Sequence, residues 1–179
     1  MTQAGSIYGE ALYSLCQEAG LSQVVLTELE NLEQSFHETP KFIRLLCYPA
    51  LSKADRCRIL DDSFQGKLQP YLLNFLKILT KKGYMRHFAD CCSAYRHCYN
   101  HDHNILPVTA TTAQPLSADQ TRSLAQKLTS ITGKQIQLNN CLDPEVLGGV
   151  RLSYDGKQLD DTIASRLDRI RGLLNNTVL

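Results

Sequence analysis

No stretch of this 179-residue sequence is apolar for long enough to span a lipid bilayer. The longest apolar run, residues 71–79, is interrupted by Asn74 and Lys77, whereas a membrane-spanning helix requires about 20 apolar residues. The opening residues, MTQAGSIYGEALYSL, also lack the basic start and the small-residue cleavage site of a secretory signal. We therefore expect a cytoplasmic protein that crosses no membrane.

The sequence also lacks the two common glycine-rich phosphate motifs, GxxxxGKS/T and GxGxxG, so nothing in it supports nucleotide binding. Its seven cysteines are odd in number and follow no framework spacing, which argues against a secreted disulfide scaffold. We predict free, mostly buried thiols and no cofactor.

One cluster of metal-binding residue types lies near the end of a predicted helix. Structural zinc sites usually bring two ligand pairs together from separate turns, whereas a single helix end supplies all the candidates here. We predict core thiols and solvated histidines, no metal and no catalytic residue. A zinc or thiol-dependent enzyme is a minor alternative. The cluster consists of Cys91, Cys92, His97, Cys98, His101 and His103.

Basic residues are missing from the first forty positions, which contain six glutamates, whereas residues 41–104 carry eleven basic and five acidic groups. This asymmetry argues against a generally basic nucleic-acid binder but permits a local basic patch at Lys77, Lys81, Lys82 and Arg86. A helical RNA-binding or antitermination-type factor is therefore the main alternative function from the residues alone.

Apolar residues recur at spacings of three and four between Ala4 and Tyr99, a pattern typical of amphipathic helices. The predicted helices are punctuated by Gly20, Pro40 and Gly83, and Ser52 is a candidate N-cap. Six such segments predict a helical bundle over residues 1–104.

The pattern changes at residue 105, where a β-branched segment with Pro107 predicts an edge strand or a strand start. Ser117 and Gln120 form a capping box before another helix, and Asp155-Gly156 predicts a hairpin turn. Residues 105–179 are therefore predicted to form a small α+β domain, and the whole chain to be α+β and mostly α. A last helix would place Ile163, Leu167, Ile170 and Leu174 on one side.

The most specific motif is AspProGluValLeuGlyGlyVal at residues 143–150. Together with the residues that follow it, this motif resembles the D-P-x-hydrophobic-hydrophobic-G-G and G-x-x-x-D-x-S/T patterns of the ATP synthase delta family, the oligomycin-sensitivity-conferring proteins. The segments YGEALYSL (8–15) and VTATTAQPLS (108–117) are also similar to that family. We interpret the motif as structural at Asp143, Gly148, Gly149, Gly156, Asp160 and Thr162.

This resemblance implies a non-catalytic stator subunit of a proton-translocating F-type ATP synthase. The helical domain would bind the N-terminal helix of an alpha subunit on the catalytic head. The C-terminal domain would hold the C-terminus of the b subunit in the peripheral stalk, with Ile170, Leu173 and Leu174 as candidates. The chain would then lie on the cytoplasmic face of the cell membrane, attached through the complex, and would be a monomer in isolation.

A connector that resists torque requires helix-in-groove packing rather than a reactive pocket. We predict that the groove for the alpha segment lies between the first and the fifth helix. Its predicted residues are Tyr8, Ala11, Leu12 and Leu15 on one helix and Leu72, Phe75, Leu76 and Leu79 on the other, and we expect about half of them to be core residues.

Two positions depart from the family pattern. Gly9 stands where the family usually has alanine, and Lys82-Gly83-Tyr84 stands where a Gly-Arg pair is usual. This chain therefore lacks the arginine with which the family could make a contact at the junction of the fifth and sixth helices.

Overall fold

The fold is that of a computed structural model and is described for residues 2–146, 148–162 and 165. Two compact units divide the chain, residues 1–99 and residues 100–179. Within the described residues the chain is mostly helical and has one small mixed sheet. The predicted α+β, mostly α class is therefore confirmed.

Six α-helices precede the first strand in the described part of the chain. Ser52 caps the fourth helix as predicted, because its side chain accepts a hydrogen bond from the Asp55 amide at 3.1 Å. Pro40 begins the third helix immediately after the second one ends. The helices are α1 (Gln3–Glu18), α2 (Ser22–Glu38), α3 (Pro40–Leu46), α4 (Lys53–Phe64), α5 (Pro70–Lys82) and α6 (Phe88–Asp102), with a 3-10 turn at Met85–His87 before α6.

The core of the first unit is built from leucines and aromatic rings. Leu72 and Leu76 of α5 are fully buried, as is Tyr95 of α6, whose hydroxyl donates to the Ser22 carbonyl at 2.9 Å. Phe36 stacks on Phe42 with ring centroids 5.6 Å apart. These contacts tie together helices that are distant in sequence.

The second unit contains β1 (Ile105–Thr112), α7 (Ala118–Thr132), β2 (Gln135–Leu142), β3 (Val150–Tyr154) and β4 (Lys157–Asp160). The strand order is β2-β1-β3-β4, with β1 parallel to β2 and the other pairs antiparallel. β1 is thus central, so the edge-strand alternative for Pro107 is wrong, whereas Pro107 does lie near the start of its strand, as the third residue of β1. The proline fits because β3 pairs only with Thr109–Thr112, so β1 has one neighbouring strand at Pro107.

One face of this sheet forms the core of the second unit. Leu106, Val108 and Ala110 of β1 and Leu152 of β3 are buried, and Leu124 and Leu128 of α7 pack against them. The α7 helix begins with the predicted Ser117–Gln120 capping box. The predicted last helix, with Ile163, Leu167, Ile170 and Leu174, lies outside the described residues.

In the part of the chain that the structure describes, every helix is too short or too polar to span a bilayer.

Candidate partner-binding surface

Helix α1 packs closely on α6 through Gly5 and Gly9. A Cβ atom added to Gly9 would lie 2.4 Å from the Cys91 carbonyl oxygen and 2.7 Å from the Ala94 Cβ. A Cβ added to Gly5 would lie 2.4 Å from the Cβ of Asp90. Real Cβ atoms do not approach other atoms this closely, so the crossing depends on both glycines.

The start of α1 is held by Asp90 of α6. The Asp90 carboxylate accepts hydrogen bonds from the Thr2 hydroxyl at 2.7 Å and from the Thr2 amide at 3.1 Å. These two bonds lower the pKa of Asp90, with a smaller contribution from His87. Asp90 therefore positions the first turn of α1 against α6.

Helices α1 and α5 run in opposite directions. Near the start of α1, Tyr8 lies against Tyr84, which follows the end of α5, with ring centroids 5.7 Å apart. At the other end, the Gln69 amide before α5 donates to the Glu28 carboxylate of α2 at 2.9 Å. Glu28 lies in the first half of α2, which begins a few residues after α1 ends, so we infer that the start of α5 lies towards the end of α1.

Five of the eight predicted groove residues are buried in the core of the first unit: Leu12, Leu72, Phe75, Leu76 and Leu79. Tyr8 is half-buried, while Ala11 and Leu15 are exposed to solvent. The exposed fraction of Leu15 is 53%, which leaves about half of this large apolar side chain available to a partner. Alpha-subunit binding at these positions remains a prediction.

The structure adds three exposed apolar side chains that sequence reasoning missed. Ile7 of α1 and Tyr71 and Ile78 of α5 are 58%, 44% and 46% exposed. Each belongs to an apolar helical repeat, but the repeat does not say which apolar positions a neighbouring helix covers. The sequence therefore identifies these three residues as apolar positions of a helix, but it does not show whether they are buried or exposed.

These side chains border a shared groove. On α5, Lys77 forms an ion pair with Asp61 of α4 at 2.5 Å, so this flank of α5 faces α4. Tyr71 and Ile78 lie on the other flank of α5, two helical turns apart. Because α5 also contacts α1, we infer that this flank faces α1. On α1, Ala11 and Leu15 follow Tyr8 at spacings of three and four. We define the α1–α5 groove by Ala4, Ile7, Tyr8, Ala11 and Leu15 of α1 and Tyr71, Ile78 and Lys82 of α5.

The family motif that begins at residues 143–150 fixes the backbone conformation of two turns in the second unit. Asp143 accepts from the Glu145 amide at 3.0 Å, which closes the turn before the glycine pair. Gly149 has a φ of +85°, and an added Cβ would lie 2.6 Å from the Asp161 carbonyl oxygen. Gly148 adjoins it, and Gly156 turns the β3–β4 hairpin with a φ of +71°. The motif thus brings the 160–162 segment close to the glycine pair.

Asp160 and Thr162 complete this arrangement. The Asp160 carboxylate accepts from the Thr162 hydroxyl at 2.7 Å, from the Thr162 amide at 3.0 Å and from Arg151 Nε at 3.0 Å. Hydrogen bonding by Thr162, followed by that of Arg151, lowers the pKa of Asp160. Thr162 is fully buried, and its hydroxyl in turn accepts from the Ser165 amide at 3.2 Å.

We expect Asp160→Asn to remove a pH-dependent part of the stability. Because the pKa of Asp160 is lower in the folded than in the unfolded chain, its contribution is complete above about pH 4. It is lost as the pH falls through the folded-state pKa. Thermal unfolding from neutral to acidic pH should show a wild-type advantage that disappears in acid. Asp119→Asn, at a side chain 93% exposed, is the control, and a pH-independent difference for Asp160→Asn would contradict the prediction.

Cys91 and Cys92 have the properties of core thiols, whereas Cys98 is half-buried. Burial raises the pKa of Cys91 to about 11, and burial also raises the pKa of Cys92. Such thiols are poor nucleophiles near neutral pH. His97, His101 and His103 are exposed, and within the described residues no group of three or more metal-binding side chains could hold a metal ion.

The candidate basic patch is divided in the structure. Lys77 is paired with Asp61, whereas Lys81, Lys82 and Arg86 are exposed at the end of α5 and in the turn that follows it. The last turn of α5 is a favourable place for cations because its carbonyl groups carry partial negative charge. This arrangement accounts for the lysines without a nucleic-acid ligand.

Comparison with known proteins gives a consistent result over almost the whole chain. Residues 5–174 match the family model described as ATP synthase delta (OSCP) subunit. The ATP synthase subunit delta of Exiguobacterium sp. is 32% identical over 169 residues, which cover 94% of this chain and 95% of that protein. The subunit of the same name from Clostridioides difficile is 28% identical and covers 96% of this chain and 95% of its own length.

A solved structure has a similar fold. A chain in the cryo-EM structure of the Toxoplasma gondii mitochondrial ATP synthase hexamer matches 97% of this chain and 98% of its own length. The TM-score is 0.71 at 22% sequence identity, so this likeness concerns the fold alone. These comparisons give no support to the RNA-binding alternative.

Proposed function

The chain belongs to the ATP synthase delta (OSCP) subunit family and is a stator subunit of an F-type ATP synthase; we propose that it is a non-catalytic connector between head and stalk. Its helical unit binds the N-terminal helix of an alpha subunit. Its second unit binds the C-terminus of the b subunit. The protein is then peripheral to the cytoplasmic face of the membrane through the complex and is a monomer when isolated.

The α1–α5 groove is the observation that supports the alpha-subunit contact best. Its walls contain Ile7, Leu15, Tyr71 and Ile78, all large apolar side chains that are between 44% and 58% exposed. An amphipathic helix that buried them would gain about 25 cal/mol for each Å² of apolar surface removed from water. Apolar packing of this kind also tolerates salt, which suits a joint under mechanical load.

The second unit is the proposed binding site for the b subunit, and its motif supports a structural role. Gly149, Asp160 and Thr162 hold the backbone in shape through contacts within the unit. The candidate contact residues Ile170, Leu173 and Leu174 lie outside the described residues, so their role stays a prediction from the sequence.

The proposal is tested by calorimetric titration of the full chain with a synthetic peptide of the alpha-subunit N-terminus from the same organism. We expect saturable binding that changes little between low and high salt, because apolar burial is not screened. Binding that disappears at high salt would point to a charge-driven contact. The absence of binding to a chain shown to be folded by circular dichroism would contradict the proposal.

We expect Leu15→Gln and Ile78→Gln each to weaken this binding about tenfold, since each replaces a large apolar side chain that the partner would cover. Both side chains are already half-exposed, so the folded state should be preserved. Ile131→Gln is the matched control, because Ile131 is 80% exposed on α7 of the second unit. Equal affinities for all three variants would show that the groove is not the binding site.

A further inference from the structure

The groove carries opposite charges on its two helices. On α1 the exposed stripe of Ala11 and Leu15 continues to Glu18, the last residue of the helix, at spacings of four and three. On α5 the stripe of Tyr71 and Ile78 continues to Lys82, also the last residue of its helix. Both charged side chains are exposed. Each apolar wall therefore ends in one charge.

The two charges lie at opposite ends of the groove because α1 and α5 are antiparallel. The contact between Tyr8 and Tyr84 fixes the start of α1 beside the end of α5, where Lys82 lies. Glu18 is at the far end, towards the start of α5. From Ala4 to Leu15 the apolar wall is roughly 16 Å long, about three turns of helix. A short helix would thus span the distance between the two charges.

We propose, on the basis of the function proposed above, that the α1–α5 groove binds its partner helix in one direction only. The N-terminus of the bound helix lies at Glu18 and its C-terminus at Lys82, so that it runs parallel to α5 and antiparallel to α1. The free amides at the first turn of a helix carry partial positive charge, and the free carbonyls of its last turn carry partial negative charge. Only this direction places each helix end beside a charge of opposite sign.

Other charges on the same two helices do not change this assignment. Lys81 follows Lys77 by one turn, and Lys77 faces α4 through its ion pair with Asp61, so Lys81 lies on the outer face of α5. Glu10 lies off the stripe formed by Ala11, Leu15 and Glu18. Lys81 and Glu10 are thus matched controls for Lys82 and Glu18, each on the same helix and outside the groove.

The direction is measured by paramagnetic relaxation enhancement on the full chain, with a nitroxide at either end of the alpha-subunit N-terminal peptide. We expect the N-terminal label to broaden the amide signals around Glu18 and the C-terminal label to broaden those around Lys82. The reverse assignment, or equal broadening at both ends, would overturn the inference while leaving the proposed function intact. A peptide that does not bind at all would overturn both.

Charge substitutions give an independent measurement. We expect Lys82→Gln and Glu18→Gln each to weaken peptide binding about two- to fivefold at low salt, and this loss to shrink at high salt. Lys81→Gln and Glu10→Gln should leave the affinity unchanged. Equal losses for a groove residue and its control would contradict the proposed direction. Self-association of the chain without peptide, abolished by Ile78→Gln, would identify a second copy as the occupant and would also overturn it.

Discussion

Replacing Gly149 by alanine is expected to lower the free energy of unfolding of the second unit by about 2–5 kcal/mol. Two costs add at this position. The φ of +85° is unfavourable for any residue with a Cβ, and that Cβ would also lie 2.6 Å from the Asp161 carbonyl oxygen. The 160–162 segment would have to move, and the bonds that Asp160 makes to Thr162 would weaken with it.

Gly133→Ala separates these two costs. Gly133 lies in the same unit and has a φ of +68°, but an added Cβ would meet nothing within 4 Å. We expect this control to lose only about 1–2 kcal/mol, the cost of the backbone conformation. Amide hydrogen exchange in β1 and β3 measures the stability of the second unit by itself. Equal losses for the two variants would show that the close approach to Asp161 contributes nothing.

Gly9→Ala is expected to destabilise the first unit by about 1–3 kcal/mol, although alanine is the better helix former by about 1 kcal/mol. The added methyl group would overlap the Cys91 carbonyl oxygen and the Ala94 side chain, neither of which is a flexible group that can move aside. The helix α1 would therefore be pushed away from α6. Since α1 forms one wall of the α1–α5 groove, peptide binding should weaken as well.

Thermal unfolding followed by far-ultraviolet circular dichroism tests this result. Ser14→Ala is a suitable control, because Ser14 is exposed on the same helix and its hydroxyl bonds only to the Glu10 carbonyl, 3.2 Å away, among the bonds described. We expect this control to change the melting temperature little. A higher melting temperature for Gly9→Ala would mean that α1 and α6 can separate at little cost. The result is informative because the resembling family usually has alanine at this position.

Local signals made much of the fold predictable. The caps at Ser52 and Ser117 and the hairpin at Asp155-Gly156 involve residues within a few positions of one another, so their chemistry can be read from the sequence. For Pro107 the sequence left two alternatives, an edge strand or a strand start, and only the second fits β1. A proline's missing amide excludes a bond to one neighbouring strand, but which residues β3 pairs with depends on the rest of the sheet.

The candidate site was predictable in place but not in detail. The choice of α1 and α5 came from the resemblance, and five of the eight residues predicted on them fill the core. Ile78 and Tyr71 were missed because an apolar helix can have two apolar flanks, and only the neighbouring helices decide which flank is covered. The opposite charges at the two ends of the groove were equally hidden, since they depend on α1 and α5 being antiparallel.

Over the described residues, the sequence by itself determined the helical and strand segments and the mixed α+β class, and it also gave the resemblance to a stator subunit. Helical spacing, capping residues and glycine motifs act over short stretches of chain. The tertiary structure alone decided that Gly9 must lack a side chain, that Gly149 faces the Asp161 carbonyl and that Leu15 and Ile78 remain exposed. Each of these depends on the distance between segments far apart in sequence, and side-chain packing sets that distance.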